Sequence, residues 1–308
     1  MNILIVGAGA IGSLIGARLS RTSASVVLFS TNREHMEAVR EGGLKIEELD
    51  GKVSNHALRA CFEIEGLPIN PDYALVLVKS YATLEALSLV RPLCSPSTVF
   101  VTLQNGIGNW ERIAEVVGKR AVIAGTTAQG STLVAPGLIR HGGNGPTYIG
   151  EVFGAKSERV ERLVDVFRQA GLATQPSDEV QRLIWEKLLV NVGINAITAL
   201  TGIRNGAVAA TAEAARLCRA AVGEAVAVAA AKGYPMGPDM ADRVLSVAGA
   251  TARNRSSMGQ DVDRKKRTEI EAINGAIVRF GQDAGIATPV NQTLTSLVKV
   301  LEARYTAQ

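Results

Sequence analysis

The sequence predicts an α/β protein in which a doubly wound, mostly parallel sheet is followed by an all-helical region. Three observations predict it. Up to about residue 177, short β-rich apolar runs alternate with stretches of helical spacing. The first of these runs meets a knot of glycines in MNILIVGAGAIGSLIGARL. From residue 178 to residue 308 no convincing strand is found, only Ala- and Leu-rich segments with helical periodicity.

Each element follows in order. Asn2–Val6 reads as a buried strand, and a helix runs on from the glycines through Leu19. Ser25–Phe29 is a second strand, and Arg33–Glu41 a helix ending at Gly42-Gly43. Tyr73–Val78, Val99–Leu103 and Val122–Gly125 are continuous β-rich runs, the pattern of strands covered on both faces. Leu138–Arg140 and Tyr148–Gly150 are shorter, and the His-Gly-Gly-Asn-Gly-Pro between them reads as a hairpin turn. Glu158–Ala170 is a helix stopped by Gly171. The character changes at Gln175-Pro176-Ser177-Asp178, where Ser177 or Asp178 suits a helix N-cap. Two domains are therefore expected, 1–177 and 178–308. Breaks in the second fall at Gly202, Gly233-Tyr-Pro235 and Gly285.

Composition narrows the function classes. The 308 residues are 47% hydrophobic, ample for a core, and the net charge of +4 is spread along the chain. Aromatics at 4% are too few for a base-stacking surface, so no nucleic-acid partner is expected. The basic run Arg264-Lys265-Lys266-Arg267 lies between apolar helical flanks without interleaved aromatics and reads as a solvated face. Cys61, Cys94 and Cys218 are far apart and odd in number, which points to a reducing cytoplasm and not to a disulfide framework. His35, His56 and His141 show no ligand spacing, so no metal is expected. No targeting segment is legible at the N-terminus. The stretch Ala220–Ala231 contains Glu224 and is twelve residues long, against about 20 needed to cross a bilayer, so it reads as a buried or subunit-facing helix. The Ala-rich helix expected at Ala207–Ala231 could pack within the monomer or form a homodimer.

Gly7-Ala8-Gly9-Ala10-Ile11-Gly12 is G-x-G-x-x-G, set between a strand and a helix at the start of a βαβ pattern. Gly7 permits the tight turn, Gly9 lets a pyrophosphate approach the backbone, and Gly12 lets helix pack on strand. The amides from Ala10 and Ile11 onward open a helix whose positive end faces the phosphates. An NAD site usually has an acid at the tip of the second strand, about 20 residues on. Here the tip reads Ser30-Thr31-Asn32-Arg33, with no acid in it, so Asn32 and Arg33 suit a 2′-phosphate and NADP(H) is the expected cofactor.

In the second half, WEKLLVNVGIN places Lys187, Asn191 and Asn195 four apart. Each step turns about 400°, so the three share one helical face among apolar neighbours. A lysine and two amides there need partners or a purpose. Further on, Glu269 is an acid leading into an apolar-periodic helix, Ile270–Phe280.

At these residues the chain resembles the ketopantoate reductases over almost its whole length. The resemblance rests on GAGAIG at the start, VKS at 78–80, QNGIG at 104–108, WEKLLVNVGINAITAL at 185–200, RNG at 204–206 and SSMGQD…RTEIEAING at 256–275. It implies a Rossmann domain, a helical domain and a cleft between them, in which NADPH reduces the C2 ketone of a 2-keto acid, ketopantoate, to D-pantoate. Lys187 falls on the family's general acid and Glu269 on the glutamate that binds the substrate hydroxyl. Asn191, Asn195, Asn254 and Ser257 fall on substrate-contacting positions. Asn105 falls beside the nicotinamide and the lysine, and Lys79 on the adenosine side. The family commonly has Arg where Asn32 stands, and Gln where Ala82 stands.

Other readings place the chain elsewhere. A related enzyme could reduce another 2-keto acid, or act like the 3-hydroxyacid dehydrogenases. Outside enzymes, it could bind NADP(H) as a regulatory sensor without turnover; the joint presence of Lys187 and Glu269 speaks against that.

Overall fold

The computed structural model describes residues 1–64, 70–154 and 157–306. The chain divides into two compact units, residues 1–104 with 109–183, and residues 105–108 with 184–308.

The first unit is a layered α/β structure. Strand β1 (Asn2–Val6) is buried from Ile3 onward and leads through the glycines into α1 (Ala10–Leu19). Strand β2 (Ser25–Phe29) pairs parallel to it, Ile3 opposite Val26 and Val6 opposite Phe29. Next come α2 (Arg33–Gly42), the antiparallel pair β3 (Leu44–Glu47) and β4 (Val53–His56), and β5 (Arg59–Cys61). Then follow β6 (Tyr73–Val76), a 3₁₀ turn at Ser80–Ala82, α3 (Thr83–Val90), β7 (Val99–Thr102) and α4 (Asn109–Val117). Strands β8 (Val122–Ala135) and β9 (Leu138–Glu151), α5 (Glu158–Gln169) and β10 (Thr174–Pro176) complete it. The strand order is β4-β3-β9-β8-β7-β6-β1-β2-β5, with β10 beside β9. The run from β5 to β8 is parallel throughout and reverses direction of winding between β1 and β6. That is the doubly wound Rossmann order, and a ligand crevice belongs at the carboxyl ends of the strands at this switch. Strands covered on both faces must be apolar throughout, which is why Leu4, Leu28, Leu75 and Val101 are all inaccessible.

The expected hairpin turn at 141–146 is corrected. Those residues lie inside β9, and the turn is Pro136-Gly137, with Gly137 at φ +71°. The glycines serve close strand approach: a Cβ on Gly145 would stand 2.5 Å from the Ala128 Cβ, and Gly130 pairs with Gly143. Register shifts near Gln129 and Ser131 bend this long antiparallel pair.

The second unit is helical, with no strand among its described residues. Helix α6 (Val180–Thr201) enters it at Ile184. It is followed by α7 (Asn205–Ala210), α8 (Ala212–Ala231), α9 (Met240–Ala250), α10 (Ser257–Asp263), a 3₁₀ turn at Ile270–Ala272, α11 (Asn274–Ala284) and α12 (Pro289–Thr306). Leu188, Leu189 and Val192 of α6 pack with Val222, Val244, Ile277 and Val298 in one core. Gly193 permits the close approach: a Cβ there would meet Val244 Cγ1 at 2.7 Å, Cys218 Sγ at 2.8 Å and Val222 Cγ2 at 2.9 Å. Helix α6 is long and apolar enough to cross a membrane by composition alone, but 61% of that window is buried within the protein, as in a core helix. Two expected helices are broken. The Ala207–Ala231 segment is interrupted at Thr211, whose backbone is extended, and the Ile270–Phe280 segment at Ile273 (φ −111°, ψ −98°). Glu224, the acid in the apolar stretch of α8, accepts from the backbone N–H groups of Val290 (2.8 Å) and Asn291 (3.0 Å) and so caps the start of α12.

Candidate active site

The glycine loop after β1 is defined by what holds it. Gly7 N–H and Ala8 N–H both donate to the Phe29 carbonyl, at 2.9 and 3.0 Å. Gly7 lies at φ +101°, and a Cβ there would strike the Val78 backbone; one on Gly12 would strike the Gly7 carbonyl. Around Gly9, by contrast, the Cβ direction is open. Helix α1 starts on Gly9 with no side-chain cap and no acid in its first turn. The orphan N–H groups of Ala10, Ile11 and Gly12 therefore present donors and a positive end to an anion. An open, glycine-floored cradle at a helix start fits a dinucleotide pyrophosphate.

At the tip of β2, Asn32 is the N-cap of α2. Its Oδ1 accepts from His35 N–H at 3.2 Å, and its own N–H donates to Ser30 Oγ at 3.2 Å. Arg33 is exposed, pairs with Glu37 at 2.8 Å, and lays its guanidinium 4.7 Å from the centre of the Phe62 ring; Arg40 approaches the same ring at 5.9 Å. Arg33 thus brings a guanidinium to this tip, paired with Glu37, while the Asn32 carbonyl oxygen is committed to capping. Lys79 is half-buried at the start of the Ser80–Ala82 turn, next to the Val78 that abuts Gly7.

The helical unit gathers the remaining residues. On α6, Lys187 and Asn191 are half-buried and Asn195 is 4% exposed. The Nδ2 atoms of Asn191 and Asn195 are buried and have no hydrogen-bond partner among the described residues. Two adjacent buried donors without acceptors are costly unless a ligand supplies them. Burial drives the Lys187 pKa down to about 8, and the nearby Glu269 carboxylate pulls the other way. Glu269 is itself only 6% exposed. Asn105 stands in the QNGIG loop, which is pinned to the segment after Glu269: Ile107 N–H donates to the Ala272 carbonyl at 3.0 Å, and Gly106, at φ +82°, leaves no room for a Cβ against Ala272.

Asn254 and Ser257 are exposed, at the approach to α10 and its first residue. Their placement depends on two neighbours that sequence reasoning passed over. Ser256 caps α10 and hydrogen-bonds Thr198 Oγ1 at 2.6 Å, three residues beyond Asn195. Arg255 donates to the carbonyls of Thr198 and Ile203 and forms a bidentate pair with Asp263, 2.8 Å on each side. Lying between Asn254 and Ser257, both were legible as candidates, but only the fold shows that they clamp the end of α6. The Asn254 carbonyl accepts from Asn205 N–H at 3.0 Å, which gives the RNG segment its role. Among the described residues no cluster of metal-ligating side chains occurs.

A sheet with an open, glycine-floored loop at its switch point, and a helical unit carrying a lysine of depressed pKa beside a carboxylate, fit the class of nicotinamide-dependent oxidoreductases. The profile described as "Ketopantoate reductase PanE/ApbA" matches residues 3–154, and that for the C-terminal part of the same family matches 179–302. The chain belongs to the ketopantoate reductase family. It is 38% identical to a 2-dehydropantoate 2-reductase of Halobacterium salinarum, over 98% of this chain and 99% of that one. A protein of the same name from Archaeoglobus fulgidus is 37% identical, over 98% of each. Among solved structures, a PanE/ApbA family ketopantoate reductase from Ralstonia eutropha superposes with a TM-score of 0.90 at 30% identity, covering 99% of this chain and 100% of that one. D-mandelate dehydrogenase in ternary complex with NADH and anilino(oxo)acetate gives 0.93 at 27% identity, with the same coverage.

Proposed function

We propose that this protein reduces the C2 ketone of 2-dehydropantoate to D-pantoate with NADPH, in the cytoplasmic route to pantothenate and coenzyme A. Residues 1–177 hold the dinucleotide, and 178–308, with Asn105, hold and protonate the substrate. The reduced nicotinamide, when bound, supplies the hydride. Negative charge then grows on the ketone oxygen, and Lys187 stabilises it and delivers the proton. A lysine with pKa about 8 is still mostly protonated at neutral pH yet gives its proton up more readily than an ordinary ammonium. Asn191, Asn195 and Ser257 donate to the substrate carboxylate and carbonyl, Asn254 assists, and Glu269 accepts from the substrate hydroxyl. Asn105 orients the reacting group. At the cofactor, Gly7, Gly9, Ala10, Ile11 and Gly12 take the pyrophosphate, with Lys79 on the adenosine side. The observation that carries this reading is the pair of buried amide nitrogens, one and two turns beyond the desolvated lysine, that have no hydrogen-bond partner among the described residues.

A second reading, reduction of another 2-oxo acid with NADH, is favoured by the likeness to D-mandelate dehydrogenase with NADH. It is favoured also by the single arginine at the β2 tip. Oxidation of NADPH and NADH followed at 340 nm with ketopantoate and with aryl and branched 2-oxo acids separates the two. Highest kcat/KM with ketopantoate and NADPH is expected; a preference for an aryl 2-oxo acid with NADH overturns the proposal.

A further inference from the structure

His35 lies outside every motif, yet it is fully buried, and both of its ring nitrogens are engaged. Gly137 N–H points at Nδ1 at 2.9 Å, and Nε2 is 2.9 Å from Ser13 Oγ. A backbone N–H only donates, so Nδ1 is the acceptor and the ring proton sits on Nε2. Nε2–H then donates to Ser13 Oγ, and Ser13, also fully buried, gives its hydroxyl hydrogen to the Ala8 carbonyl at 3.2 Å. The direction of the whole relay follows from one amide. Burial also lowers the His35 pKa, which favours the neutral ring that this arrangement requires.

The end of the relay is the phosphate loop itself. In a planar trans peptide, C=O and the following N–H point in opposite directions. Holding the Ala8 carbonyl inward on Ser13 therefore turns the Gly9 N–H outward, toward the side where the Gly9 Cβ position is open. The backbone N–H of His35 meanwhile holds the Asn32 cap at the β2 tip. One residue thus ties the β8–β9 turn, the phosphate loop and the ribose-side tip.

We propose that the His35–Ser13 relay presets the Ala8–Gly9 peptide so that the Gly9 amide faces an incoming pyrophosphate, making both side chains positioning residues for dinucleotide affinity. The proposal rests on the reading that this loop binds a dinucleotide. Three variants separate it from simple support of the fold. Ser13→Ala removes the donor to Ala8. His35→Asn keeps an acceptor near the Nδ1 position for Gly137 but falls short of Ser13. His35→Gln places an amide donor near the Nε2 position and loses the acceptor for Gly137.

Dissociation constants for NADPH and NADH, measured by fluorescence titration, are the direct readout, with KM for the keto acid and kcat at saturating dinucleotide beside them. Ser13→Ala and His35→Asn are expected to weaken dinucleotide binding by roughly five- to tenfold, the worth of one buried hydrogen bond. The keto-acid KM and the kcat stay put, His35→Gln stays close to wild type, and the Ser13→Ala/His35→Asn double variant is no weaker than either single change. Wild-type affinity in Ser13→Ala overturns the inference. So does weakening that follows the loss of melting temperature across all three variants. Ser13→Ala removes a single atom and carries the test should the His35 variants fail to fold. If the wild-type protein binds neither dinucleotide, the functional reading fails, and the inference with it.

Discussion

The Glu269 carboxylate raises the Lys187 pKa while desolvation lowers it, and desolvation prevails, leaving the ammonium at about 8. A general acid must carry its proton, so kcat for reduction is expected to fall as pH rises through about 8. Glu269→Gln removes the opposing charge and moves that limb to lower pH. Lys187→Ala abolishes the limb and lowers kcat by about 10²–10⁴. A limb that stays near the ordinary lysine range, or that Glu269→Gln leaves in place, overturns the assignment. The same shift bears on stability: a lysine whose folded pKa is depressed costs stability below about 8, and the cost fades as pH rises toward its unfolded value.

Asn195 is buried, but its Nδ2 has no partner among the described residues, so truncating it removes none of their hydrogen bonds from that nitrogen. Asn195→Ala is expected to lower stability by less than about 1 kcal/mol from this nitrogen, below the 1–3 kcal/mol typical when a bonded buried group is cut away. The keto-acid KM should rise about tenfold, the value of one ligand hydrogen bond of about 1.4 kcal/mol. Thermal melts and initial-rate kinetics together decide; a large drop in melting temperature with an unchanged KM rules the role out.

Gly106 and Gly108 have similar backbones, φ +82° and +90°, but different surroundings. A Cβ at 106 would stand 2.5 Å from the Ala272 carbonyl oxygen, whereas none of the surrounding atoms comes within 4 Å at 108. Gly108→Ala should therefore carry only the backbone strain, about 1–3 kcal/mol of stability. Gly106→Ala must also displace Asn105 from the segment that bears Glu269, and kcat/KM should fall more than tenfold. Equal kinetic losses in the two variants would falsify the link between loop and site.

Glu111, in the first turn of α4, has a buried Oε2 with no hydrogen-bond partner among the described residues, and desolvation pushes its pKa up to about 7. For a carboxyl with a raised folded pKa, the favourable contribution is present below the unfolded value near 4.5 and is lost as pH rises through about 7. Glu111→Gln should accordingly raise the melting temperature at pH 8, by on the order of 2 °C for about 1 kcal/mol. At pH 4 it should have no such effect. A gain of equal size at both pH values would point to a cause other than ionisation.

Much of the fold was legible because burial leaves direct marks. Asn2–Val6 and Ser25–Phe29 are strands with the bounds expected, since central parallel strands must be apolar end to end. Strands β4 and β5 escaped because edge strands such as Val-Ser-Asn-His are short and half polar, and β3, interior but only four residues long, alternates Leu-Lys-Ile-Glu too briefly to mark itself. The glycines of β9 misled because glycine marks both turns and close backbone contacts, and only the partner strand distinguishes them. On α6, spacing alone put Lys187, Asn191 and Asn195 on one face, because helical geometry is local. Their electrostatics were not legible, since the Lys187 pKa depends on burial and on Glu269, 82 residues away. His35 was passed over for the same reason: its partners, Ser13 and Gly137, are remote in sequence.

The four residues Asn105–Gly108 pack as part of the helical unit although they are encoded in the middle of the sheet-forming half. No single cut in the gene can then yield a complete C-terminal piece. Swapping that half between homologues as a cassette would leave the recipient with a loop selected against a different Ala272 neighbourhood, so chimaeras should succeed only when the short insert travels along with its distant host.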